Sequence, residues 1–158
     1  MIKKPIFLLL HNIRSTHNVG SMFRTADAAG VTKIFLTGYT PTPLDRFGRE
    51  VKELSKVALG GENFVSWEYV KNPNTVISSL KKDGVQIIAI EQDKKSVDYK
   101  KVKVKSRVLF VVGNEVEGIS RNILKKCDVI AEIPMKGQKE SLNVGVALGI
   151  VLFKILNI

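Results

Sequence analysis

RVLFVVGNEVEGISRNILKKCDVIAEIPMKGQKESLNVGVALGIVLF, Arg107 to Phe153, is the stretch whose reading decides the fold. It opens with a buried strand, Arg107–Val112, which runs into a glycine-bounded loop, Gly113-Asn114-Glu115-Val116-Glu117-Gly118. A short helix follows, then a second strand, Asp128–Ile133. After Pro134-Met135-Lys136-Gly137 a long apolar helix is expected from Ser141 to about Leu156. Two successive passages from strand through loop to helix place both loops at one edge of a parallel sheet. That edge is where open α/β sheets bind ligands.

The flanking sequence repeats the alternation. Ile6–Leu10 is a continuous apolar run, as expected of a strand buried on both faces. Asn18–Ala29 has apolar residues at helical spacing and ends at Gly30, with Asn18 as a plausible N-cap. Ile34–Thr37 reads as a strand and Gly38–Gly48 as a long exposed loop. Phe64–Val70 alternates weakly, like a short edge strand. Pro73 suits the first turn of a helix running to about Asp83. Val85–Ile90 is another buried strand. Glu91–Lys105 holds six lysines and reads as a loop with one short turn. Strands alternating with helices imply an α/β fold: a parallel sheet with helices on both faces.

The chain has 158 residues, enough for one domain with a sizeable core, and no linker or repeat divides it. A single domain over residues 1–158, with no additional RNA-binding domain, is the expectation. Net charge is +10, which favours a polyanionic partner. One cysteine, Cys127, excludes an internal disulfide and fits a reducing compartment. The longest apolar run, Val144–Phe153, is half of the ~20 residues that a membrane span needs. Lys3 and Lys4 precede too short an apolar run for a signal peptide, so a cytoplasmic protein is expected. The final helix is apolar on every side, and a subunit interface is the simplest way to bury it.

Three clusters hold the polar residues that could do chemistry. Asn18-Val19-Gly20-Ser21-Met22-Phe23-Arg24 alone reads as a capped helix with a solvated arginine. Gly113–Gly118 lets backbone approach a ligand. It lacks the patterns of a dinucleotide fold or a phosphate-binding loop. Ile133-Pro134-Met135-Lys136-Gly137 with Ser141-Leu142-Asn143 alone is a strand end, a turn and a capped helix.

Together, in order and spacing, the clusters resemble the SpoU-type RNA ribose 2′-O-methyltransferases of the SPOUT superfamily. Motif one appears as NVGSMFRTADAAG, motif two as LFVVGNEVEGIS and motif three as IPMKGQKESLNVGVALGI. The likeness covers about Ile6 to Phe153. Gly145 stands where the family often has serine or alanine.

The resemblance implies a C-terminal part threaded as a deep trefoil knot, a homodimer, and S-adenosylmethionine as methyl donor. Carried over by motif, the donor pocket uses Ala89, Ile90, Glu91, Gly113, Asn114, Glu115, Gly118, Ile133, Met135, Ser141 and Leu142. Asn18, Arg24, Glu115, Ser141 and Asn143 match catalytic or substrate-positioning residues. The basic residues Arg14, Arg46, Arg49, Lys52 and Lys56 are candidates for the RNA backbone, and Tyr39 or Trp67 for stacking a base. No metal is implied. The expected partner is RNA, with tRNA favoured over rRNA because the minimal domain resembles single-domain relatives acting on tRNA. A non-catalytic RNA-binding module of this fold would be expected to lose Arg24 or the Glu115, Ser141 and Asn143 set, and all four are present.

Overall fold

A computed structural model of the chain describes residues 4–158, so Lys3 lies outside the described residues. The chain builds β1 (Ile6–His11), α1 (Thr16–Ala28), β2 (Lys33–Thr37), α2 (Lys52–Ala58), α3 (Gly61–Phe64) and β3 (Ser66–Val70). Then come α4 (Pro73–Lys82), β4 (Gln86–Ile90), β5 (Val97–Asp98), a 3-10 turn at Tyr99–Lys101 and β6 (Val108–Val112). The chain closes with α5 (Arg121–Leu124), β7 (Val129–Glu132) and α6 (Val144–Leu156).

One seven-stranded sheet runs in the order β3-β2-β1-β6-β4-β7-β5. Every pairing is parallel. The apolar runs occupy its centre: β6 is buried throughout, flanked by β1 and β4. Side chains alternate between two faces. Leu8, Leu10, Ile88 and Phe110 pack with α1, α2 and α6. Leu9, Ile87, Leu109 and Val111 pack with α4 and α5. A sheet covered on both faces is what uninterrupted apolar strands require.

Three local expectations are corrected, and the stretch after Gly48, assigned no element from sequence, is helical. Ser15, rather than Asn18, caps α1, its side chain accepting from the Asn18 backbone N–H at 3.1 Å. Asn18 therefore sits inside the first turn, and its side chain is not used for capping. α6 starts at Val144 rather than Ser141, capped by Asn143, whose side chain accepts from the N–H groups of Gly145 and Val146. Residues after Gly48 form α2 and α3, with Leu54 and Ala58 buried against α1. Leu54, Val57 and Ala58 stand at i, i+3 and i+4, but two turns with a single such set are too short to establish a helical period from sequence. The lysine-rich stretch contributes β5, whose two residues are too short to show an alternation.

The apolar helix α6 is covered on one side only. Leu148, Val151 and Leu152 are buried, whereas Val146 is 52% exposed and Ile150 and Phe153 each 37%. These three recur at i, i+4 and i+7, which places them along one stripe of the helix.

Candidate active site

The three polar clusters meet at the carboxyl ends of the central strands through one chain of hydrogen bonds. The Glu115 carboxylate accepts from the backbone N–H of Arg14 at 2.9 Å and of Ser15 at 3.0 Å. It also accepts from Asn18 Nδ2 at 3.0 Å. Asn143 Nδ2 donates in turn to Asn18 Oδ1 at 3.1 Å. The direction of this chain follows from its ends. An ionised carboxylate can only accept, so Asn18 must turn its NH₂ toward Glu115 and its oxygen toward Asn143. The Asn143 oxygen is already fixed on the backbone N–H groups that open α6. Burial pushes the Glu115 pKa up, but the Arg14 and Ser15 N–H groups and the Asn18 amide outweigh it and hold the carboxyl below its ordinary value.

Beside this chain lies a cleft of about 320 Å³, near the small end of the range for small-molecule sites. Ile90 and Glu91 line it after β4, Gly113–Val116 and Gly118 after β6, and Ile133, Met135, Ser141 and Leu142 between β7 and α6. Two glycines shape it. A Cβ on Gly113 would lie 2.5 Å from the Gly118 carbonyl oxygen. Gly118 has φ +68°, and a Cβ there would collide with the Glu91 carboxylate, which accepts from the Ile119 N–H at 3.0 Å. The loop thus doubles back on itself and locks onto the end of β4, leaving main-chain groups at the cleft wall.

A sequence model of the SpoU rRNA Methylase family matches residues 5–153. The chain belongs to this family. It is 34% identical over 152 residues to the tRNA (guanosine(18)-2'-O)-methyltransferase of Aquifex aeolicus, covering 96% of this chain and 69% of that one. It is 34% identical over 148 residues to the 23S rRNA (guanosine-2'-O-)-methyltransferase RlmB of Neisseria meningitidis, covering 94% of this chain and 56% of that one. The AdoMet-bound rRNA methyltransferase of Sinorhizobium meliloti superposes with a TM-score of 0.88 at 29% identity, over 98% of this chain and 57% of that one. The chain thus spans little more than half the length of the last two.

Within this SpoU-family fold, the residues expected around the donor line the cleft with one exception. Ala89 is fully buried in β4, between β6 and β7, with its side chain in the cluster under α4 and α5, and does not line the cleft. The strand's contribution begins at Ile90. Asn114 does line it, but its side chain is fully committed inside the chain. Its Nδ2 donates to the Asn12 carbonyl at 3.0 Å and to Tyr39 Oη at 2.9 Å. Its Oδ1 accepts from the N–H groups of Val116 and Glu117. Only its backbone is left to face a ligand.

Arg24 is not drawn into the network. It is exposed on α1, six residues beyond Asn18 and ~9 Å further along the axis at 1.5 Å per residue. Among the described residues it forms no ion pair or side-chain hydrogen bond. Arg14, Arg46, Arg49, Lys52 and Lys56 are all exposed. The loop carrying Arg46 and Arg49 is ordered by Asp45, which accepts from the Phe47 N–H, the Arg49 N–H and Arg49 Nε. Both guanidiniums lie over the exposed Phe47 ring, at 4.7 and 4.9 Å from its centroid. Trp67 is half-buried against the core in β3.

The sequence did not point to Gln92, whose Nε2 donates to the Glu140 carbonyl at 2.7 Å and ties the β4 loop to the β7–α6 loop. Its place directly after Glu91 was the available signal. Cys127 is inert as a nucleophile: burial and the neighbouring Asp128 push its thiol to about 12. Among the described residues no helix is long and apolar enough to cross a membrane, and no group of three or more His, Cys, Asp or Glu could hold a metal.

Proposed function

We propose that this SpoU-family chain transfers a methyl group from S-adenosylmethionine to a ribose 2′-hydroxyl of RNA. The observation that carries the reading is the bond chain from Glu115 through Asn18 to Asn143 beside the glycine-walled cleft. It brings one polar residue from each of the three clusters together at one ligand-binding edge.

The cleft suits the donor. Ile90, Ile133 and Leu142 offer apolar contact, and the backbone of Gly113–Gly118 is close enough to serve adenine edges with main-chain groups. Bound there, S-adenosylmethionine supplies an electrophilic methyl. The chain's own residues position the acceptor. Glu115 is engaged by three donors and held below its ordinary pKa, so its role is to orient Asn18 and the start of α1. Ser141, exposed at the cleft rim, and Asn143 face the acceptor side. Arg24 is permanently charged and holds the phosphate next to the acceptor ribose or stabilises the developing alkoxide. Arg14, Arg46, Arg49, Lys52 and Lys56 contact the RNA backbone.

The same reading includes one methyltransferase domain over residues 1–158 and a trefoil knot in its C-terminal part. The sheet order supports the knot: β6 enters between β1 and β4, and β7 beyond β4. It also includes a homodimer, supported by the open apolar stripe of α6. Transfer RNA is the first substrate class to test, because the Aquifex relative, of which this chain spans 69%, carries that name. A cytoplasmic location belongs to the same reading.

The test is methylation of a small-RNA fraction by purified protein with isotopically labelled donor, followed by nucleoside mass spectrometry. The expected product is one 2′-O-methylnucleoside at a single mapped position. Absence of S-adenosylhomocysteine binding by calorimetry would remove the reading altogether.

A further inference from the structure

We propose that the ring of Tyr39 is the stacking platform for the base of the acceptor nucleotide, an inference that rests on the methyltransferase reading. Tyr39 follows β2 and leaves the sheet at the same edge as the candidate site. Its position is fixed at three points. The Tyr39 backbone N–H donates to Asn12 Oδ1 at 3.1 Å, at the end of β1. The preceding carbonyl, of Gly38, accepts from Tyr69 Oη at 2.9 Å. The Tyr39 hydroxyl itself accepts from Asn114 Nδ2 at 2.9 Å. Yet the residue remains 57% exposed.

This combination is not what packing alone produces. A tyrosine that serves only to close a loop buries its ring and leaves the hydroxyl at the surface or paired. Here the hydroxyl is held in a part-buried hydrogen bond while the residue as a whole stays more than half exposed. An immobilised aromatic face loses little freedom when a base stacks on it, and stacking accepts any base because every base has a π-face. The neighbours fit the ligand. Asn114 is covalently next to Glu115, so the ring is tied to the loop that orients Asn18. Arg14, two residues beyond Asn12, is exposed and available to a phosphate. Sequence-specific RNA recognition splays single bases onto such rings.

Two variants separate stacking from loop closure. Tyr39→Phe keeps the ring and loses the bond to Asn114, whereas Tyr39→Ala loses both. The probe is the small-RNA fraction used as methyl acceptor, with binding of the same RNA followed by filter retention. S-adenosylhomocysteine affinity is measured on each protein by calorimetry. Tyr39→Ala is expected to raise the apparent KM and the RNA dissociation constant by about tenfold or more, the range for loss of one stacked base. Tyr39→Phe should hold both within about threefold of the parent while slowing turnover, and donor-analogue affinity should stay level in both variants. Equal losses in the two variants would reduce Tyr39 to a loop clasp, and unchanged RNA binding in Tyr39→Ala would exclude stacking. Parent protein that methylates the RNA, with a Tyr39→Ala variant that binds and methylates it equally well, overturns this inference alone. Parent protein that binds no donor analogue overturns the functional reading.

Discussion

Asn143 donates from Nδ2 to Oδ1 of Asn18 at 3.1 Å, joining the cap of α6 to the first turn of α1 across 125 residues of sequence. The bond has one permitted direction, because Glu115 fixes one end of Asn18 and the α6 backbone fixes the oxygen of Asn143. Asn18→Asp should break the link to Glu115, removing the donor and setting a second carboxylate against it, while an oxygen at position 18 still accepts from Asn143. Near a helix N-terminus an aspartate is otherwise favourable. Stability should therefore fall little while methyl transfer falls by about 100-fold, the low end of what one preorganised polar group contributes. Single-turnover rates beside urea unfolding separate the two effects, and a fully active Asn18→Asp protein would break the link between network and catalysis.

The pH dependence of stability should report Glu115. Its folded pKa lies below its ordinary value of 4.5. Its contribution is then complete above that value and is lost as pH falls through the lower, folded one. The difference in unfolding free energy between the parent and Glu115→Gln should stay level from roughly pH 5 to 8 and shrink below that range. A difference that grows on acidification would reverse the sign of the argument.

Gly113 and Gly118 can be tested as a pair. Gly113→Ala sets a methyl against the Gly118 carbonyl, and Gly118→Ala adds strain at φ +68°. Each should cost about 1–3 kcal/mol of stability. Each should also abolish S-adenosylhomocysteine binding in protein that remains folded by circular dichroism. Binding within threefold of the parent would show that the loop backbone is not the wall of the donor site.

The strands, the helical faces and the three polar clusters were legible because each is written in local periodicity or in motif order. What stayed hidden depended on contacts between distant residues. Ser15 and Asn18 both qualify as caps by type, and only the approach of Glu115 shows that Asn18 is needed elsewhere. Ala89 looks the same as its neighbour Ile90 in sequence. Its burial is set by the register against Val111 and Ile130. Asn114 carries the marks of a ligand-binding residue, and its four internal hydrogen bonds could not be counted before Asn12 and Tyr39 were placed beside it.

The open stripe on α6 predicts self-association. Ile150→Glu or Phe153→Glu should yield folded monomers by sedimentation at micromolar concentration, since both residues are partly exposed in the single chain. Leu148→Glu should instead unfold the protein, because Leu148 is fully buried. A parent protein that sediments as a monomer would refute the interface.

Arg24 gives the sharpest test of mechanism. It is exposed, six residues beyond Asn18 on α1, and forms no ion pair among the described residues. A guanidinium effectively never gives up its proton, so it cannot serve as a general base. Its remaining means are fixed charge and bidentate geometry toward a phosphate or a developing alkoxide. Arg24→Ala should therefore lower transfer by about 10²–10³-fold. Donor affinity should be unchanged, because Arg24 does not line the cleft. Arg24→Lys decides between the roles. Lysine keeps a charge but loses the fork, and it can deprotonate at high pH. If geometry and charge are what matter, the lysine variant should be slow at every pH. If proton abstraction matters, its rate should climb steeply toward its own pKa. The measurement is single-turnover transfer to one mapped RNA across roughly pH 6 to 10 for the three proteins, spanning the ordinary histidine and lysine ranges. Recovery of the lysine variant at high pH would overturn the electrostatic role, and a near-normal Arg24→Ala would remove Arg24 from the site.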